Sequence, residues 1–113
     1  MHTANAAVGA VILASMTTVA TAQAQDEARK VAYGRHLAQQ CTACHRTDAV
    51  SNGIPVITGW PADQFVAVLD SYKRGDRPNA AMVSIAQTLG AEEMQALAAH
   101  FGAMKVPAAG KKW

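Results

Sequence analysis

From residue 26 to about residue 104 the apolar positions recur every three or four residues, the spacing of amphipathic helices, and nowhere alternate as they do in a half-buried strand. Val31, Gly34, Leu37, Ala38 and Cys41 form the inward stripe of a first helix that Asp26 caps and that runs to about Cys41. Residues 46–60 carry Ser51, Asn52, Gly53, Pro55 and Gly59, which predict a loop. The one β-branched cluster, Ile54 to Thr58, is interrupted by Pro55 and does not read as a strand. Pro61 suits a first helical position, and Phe65, Val68, Leu69 and Tyr72 make a face that stops near Gly75. A third helix is capped by Asn79, carries Met82, Ile85, Ala86 and Leu89, and ends at Gly90. A fourth opens with Glu92 and Glu93, where carboxylates favour a helix N-terminus, and presents Met94, Leu97, Ala98 and Phe101. The pattern predicts an all-α chain of about four short helices, with Pro107 to Trp113 as a loose tail.

The N-terminal segment follows different rules. Residues 1–25 contain no Asp, Glu, Lys or Arg, and Ala6 to Met16 are almost entirely apolar before small residues lead into Ala22-Gln23-Ala24. This is the pattern of an export signal with an A-x-A cleavage site after Ala24. A second small-residue site, Ala20-Thr21-Ala22, lies two positions earlier, and the usual basic residue of the leader is absent. An apolar run of about 11 residues is short of the roughly 20 that span a bilayer, so the expectation is cleavage rather than an anchor. The predicted organisation is a signal peptide over 1–24, a domain over 25–106 and a tail over 107–113, with export to a bacterial periplasm and no stable membrane span after cleavage.

Composition sharpens the picture. The 113 residues allow one small domain, and the net charge of +2 with 16% charged residues has no basic block, which argues against nucleic acid as a partner. Half of the residues count as hydrophobic, but 25 are alanine and only six are aromatic, so the set able to build a core is thin. Four short helices of this composition leave a margin near zero against conformational entropy, and a buried cofactor would resolve that.

The decisive motif is Cys41-Thr42-Ala43-Cys44-His45, which contains the only two cysteines of the chain. C-x-x-C-H is the pattern of c-type haem attachment. Two thiols three residues apart project from one side of a helical turn and reach the two vinyl groups of the haem edge, and the next residue brings an imidazole under the iron. Three other readings compete. A structural zinc site wants a second ligand pair, and His36 and His100 stand alone. A thioredoxin-like dithiol needs a strand leading into the motif, where the pattern here is helical. A disulfide across two intervening residues closes a tiny loop and stabilises little.

With these residues in view, the sequence resembles the class I, single-haem bacterial cytochromes c, over essentially all of the chain after the leader. Ile54-Pro55-Val56-Ile57-Thr58-Gly59, with Tyr72-Lys73-Arg74-Gly75-Asp76-Arg77-Pro78-Asn79-Ala80-Ala81-Met82, is similar to the cytochrome subunit of flavocytochrome c sulfide dehydrogenase and its c4-like relatives. The resemblance implies the class I cytochrome c fold, with the helices wrapped around one covalent haem c. It implies Cys41 and Cys44 as thioether attachments, His45 as one iron ligand and Met82 as the other, with Met94 and Met104 left as core residues. It implies further that the Pro55 carbonyl accepts a hydrogen bond from the His45 ring, and that the first and last helices cross at Gly34 and Phe101. Arg74, Arg77, Tyr72 and Trp60 become expected partners of the haem propionates.

Nothing else looks catalytic: there is no nucleophile beside a base, no phosphate loop, and no carboxylate pair beyond Glu92-Glu93. The reading is therefore a non-enzymatic carrier of single electrons that meets redox partner proteins. The alternative is the electron-accepting cytochrome subunit of a flavocytochrome c sulfide dehydrogenase, with a flavoprotein as partner. A haem sensor would need a vacant sixth position on the iron, which a Met82 ligand denies.

Overall fold

The computed structural model describes residues 8–48 and 52–105, with side chains from residue 18 onward. Ser51, the first seven residues and the 107–113 tail therefore lie outside the described residues. Those described form five helices and no strand: α1 (Val8–Leu37), α2 (Gln39–Thr42), α3 (Ala62–Lys73), α4 (Ala80–Gln87) and α5 (Ala91–Ala103). The fold is all-α, as the periodicity predicts.

The helix α1 differs from expectation. Asp26 does not cap it, because the alanine-rich segment before Asp26 is itself helical and the backbone runs through without a break. Inside the helix Asp26 and Glu27 pair instead with Arg29 and Lys30 one turn on. From Thr18 to Lys30 every residue is exposed, and the packed part of α1 begins at Val31. Helix geometry tightens at Ala38, whose carbonyl takes the amides of both Cys41 and Thr42 at 2.9 and 3.0 Å. The result is the separate short turn α2 in place of an uninterrupted first helix.

α5 is the centre of the packing. It buries Met94, Ala96, Leu97, Ala98 and Phe101, and both α1 and α3 lie against it while α4 packs on α3. Crossing α1 requires a glycine. A Cβ built on Gly34 would stand 1.9 Å from the Ala96 carbonyl oxygen and 2.8 Å from His100 Cβ, so the two backbones are in direct contact. The nearest contacts of Gly34 are thus Ala96 and His100, the latter immediately before the Phe101 expected from the resemblance. Phe101 instead stacks on Phe65 at 5.6 Å between centroids, and Trp60 meets the edge of Phe65 at 6.5 Å.

Two helix ends also move. α4 stops at Gln87, three residues before Gly90, because Thr88 turns its hydroxyl onto the Ile85 carbonyl at 2.7 Å and the backbone closes with the tighter Thr88–Ile85 and Leu89–Ala86 bonds. Gly90 opens α5 instead, its amide donating to Glu93 Oε2 at 2.7 Å. Pro61 stands one position before α3 as its N-cap.

Replacing Gly34 by Ala forces α1 off α5 and should lower stability by about 1–3 kcal/mol, read from a urea midpoint with the slope unchanged. Desolvation, followed by the charge of Arg35, holds the His100 imidazole below its ordinary 6.5. The unfolded chain then takes up a proton that the folded chain refuses, so this group costs stability as pH falls through about 6.5. Urea midpoints of wild type and His100→Gln should diverge on that acid side, the variant losing less.

Candidate functional site

The motif sits where α2 unwinds. Cys41 lies in the last turn of α2, and its carbonyl accepts the amides of Cys44 at 3.2 Å and His45 at 2.8 Å. That turn presents Cys41 half-buried against the core, Cys44 to solvent, and His45 inward and buried. Neither thiol is in a disulfide, and among the described residues no three of His, Cys, Asp and Glu converge on one point. The disulfide and zinc readings therefore gain no support from the geometry. The segment before the motif is helical, which also removes the strand that a thioredoxin-like dithiol needs. Burial pushes the Cys41 thiol above its ordinary range.

His45 is oriented by one contact. Its Nδ1 lies 2.7 Å from the Pro55 carbonyl oxygen. A carbonyl only accepts, so Nδ1 is the donor, and in the neutral ring Nε2 keeps its lone pair. The bond expected from the loop proline is present, and it reaches ten residues down the chain. The loop that supplies it is tied down at its far end: Gly59, at φ 75°, donates its amide to the Phe101 carbonyl at 2.8 Å, and Trp60 Nε1 donates to Val56 at 3.1 Å. Thr58 is wholly buried beside that turn, with no partner for its hydroxyl.

Met82 is the third residue of α4. Its side chain is half-buried against the same hydrophobic core that Cys41 touches, as are those of Leu37, Ile57, Trp60 and Ile85. Met94 is fully buried and Met104 half-buried, both packed in the core cluster. Asn79 caps α4 as predicted, and the group it holds is the Met82 amide, Oδ1 to N 3.0 Å. Nothing in the sequence spacing singles out that pairing, and nothing marks Lys73, whose ammonium donates to the Leu89 carbonyl and ties α3 to the end of α4.

The expected propionate partners have protein partners. Arg74 pairs with Asp70 and Asp76, Arg77 Nε donates to Ser71 Oγ at 2.9 Å, and the Arg77 guanidinium lies over the Tyr72 ring at 5.6 Å. Arg46, next to His45, is paired with Asp48. A shallow groove of about 480 Å³ opens between α1, α3 and α5 along Lys30, Val66 and Ala98, and none of Cys41, Cys44, His45 or Met82 lines it.

No protein-family model matches the chain. A curated relative does. The thiosulfate dehydrogenase electron acceptor of Stutzerimonas stutzeri (strain A1501) is 38% identical over 73 residues, 62% of this chain and 34% of the relative. The chain therefore matches about a third of that protein's length.

The donor set and its surroundings fit a c-type haem. Two unbridged thiols stand one turn apart, an imidazole follows them with Nε2 left as its donor atom, and a thioether lies on the same apolar cluster as Cys41. With both thiols free, Cys44 should alkylate with iodoacetamide several-fold faster than Cys41 at neutral pH, since burial of Cys41 disfavours its thiolate. Peptide mass mapping during a time course reads the order directly.

Proposed function

We propose that the protein is a carrier of single electrons with one covalent haem c, which Cys41 and Cys44 would attach and whose iron His45 Nε2 and the Met82 sulfur would hold. The observation that carries this reading is the His45–Pro55 bond, which fixes the tautomer that a haem histidine needs. When bound, the haem supplies a one-electron Fe(III)/Fe(II) couple. The chain's own residues set how that couple behaves. The Pro55 carbonyl raises the basicity of the His45 ring, and the thioether of Met82 favours the reduced state, giving a higher potential than a second imidazole would.

In this reading the chain is not itself an enzyme. The named role of its relative, acceptor for a thiosulfate dehydrogenase, supports an electron-donating partner that oxidises an inorganic sulfur compound. No observation favours a flavoprotein sulfide dehydrogenase over that partner. The leader over 1–24 would deliver the chain to the periplasm, where haem attachment and such a partner would be found.

The test is Met82→Ala in the haem-loaded protein. The variant should lose the weak far-red band of the oxidised state and show a lower midpoint potential, while haem stays with the chain on a denaturing gel through Cys41 and Cys44. An unchanged band removes Met82 as a ligand, and haem that leaves the denatured wild type removes the thioether attachment.

A further inference from the structure

The α4 segment is fastened very differently at its two ends. Its C-terminal half is held by the core, through buried Ala86 and, just beyond the helix, buried Leu89, and the Lys73 ammonium bonds the Leu89 carbonyl. Its N-terminal half has no fully buried residue and meets the core through the half-buried Met82. Pro78, Asn79, Ala80 and Ala81 are all exposed, and Met82 is the first residue of the helix to face inward, half-buried. A helix of eight residues is too short to hold its first turn by propensity. What holds that turn is Asn79: its side chain accepts the Met82 amide at 3.0 Å and its carbonyl accepts the Val83 amide at 2.8 Å.

We propose that Asn79 is the positioning residue for Met82, its side-chain cap holding the Met82 backbone in the place from which the thioether reaches the iron. The proposal rests on Met82 as an axial ligand. Asn79 is exposed, and its side chain acts through the one backbone amide that belongs to the ligand itself. If an added ligand displaced Met82 from the iron and the first turn of α4 moved outward with it, the Asn79 cap would be broken. The cap therefore counts against displacement. A cap lost on displacement is worth about fivefold in the displacement equilibrium, the equivalent of about 1 kcal/mol.

The experiment is an imidazole titration of the oxidised, haem-loaded full chain, followed in the visible spectrum, for wild type, Asn79→Ala, Asn79→Ser, Glu93→Ala and Met82→Ala. Asn79→Ala should bind imidazole about fivefold more tightly than wild type, and Asn79→Ser, which restores a capping oxygen, should return to within about twofold. Glu93→Ala removes the comparable cap of α5. It should lower the urea midpoint and leave imidazole affinity at the wild-type value. Wild-type affinity in Asn79→Ala, or an equal tightening in Glu93→Ala, overturns the positioning role. Met82→Ala separates this from failure of the reading beneath it: it should bind imidazole far more tightly than wild type, and equal affinity would overturn the ligand assignment and the proposal together.

Discussion

The rest of the structure depends on the absence of a side chain at Gly34. With the Ala96 carbonyl 1.9 Å from where a Cβ would stand, α1 and α5 meet backbone to backbone. That contact brings Ala38 into the core beside Leu97, Ala98 and Phe101, and it fixes where α1 ends relative to α5. The turn that follows, α2, can then present Cys41 to the core, Cys44 to solvent and His45 inward. A bulkier residue at position 34 would move all three chemical groups at once, although it is seven positions from the nearest of them.

The same helix anchors the other half of the site. The α5 carbonyl at Phe101 takes the Gly59 amide, and a Cβ on Gly102 would lie 3.1 Å from the Trp60 carbonyl. The loop is pinned there, so Pro55 is held at a fixed place from which its carbonyl meets His45. α3 lies on α5 and carries α4. Motif and methionine are thus separate arms of one scaffold, joined through a helix that contributes no group to the chemistry.

What the sequence made legible were the features written in local spacing. C-x-x-C-H is five consecutive residues, and the inward faces of α3, α4 and α5 follow from i, i+3, i+4 periodicity, with Phe65, Leu69, Ala86, Leu97 and Phe101 all buried where the pattern puts them. The helix limits were less legible because one residue type serves two signals. Asp26 caps a helix or pairs with Arg29 inside one, and an alanine-rich stretch before it decides for the second. Gly90 ends one helix or opens the next, and Thr88 had already ended α4. Least legible were contacts made through space by groups that every residue has: the Gly59 amide on Phe101, the Leu89 carbonyl under Lys73, the Met82 amide on Asn79. The buried hydroxyl of Thr58 sits among turn residues that predict exposure.

The exposed stretch of α1 from Thr18 to Lys30 makes this helix two units of unequal stability. Beyond Val31 it can open only by uncovering the core; before that, its turns rest on their own hydrogen bonds and on exposed ion pairs such as Asp26–Arg29, each worth a few tenths of a kcal/mol. Local unfolding of the outer turns therefore needs far less free energy than global unfolding, and backbone amides there exchange with solvent ahead of those at the α5 crossing. Ala22-Gln23-Ala24 lies in the part that opens first, while the end of the helix that leads into Cys41 and Cys44 stays shut.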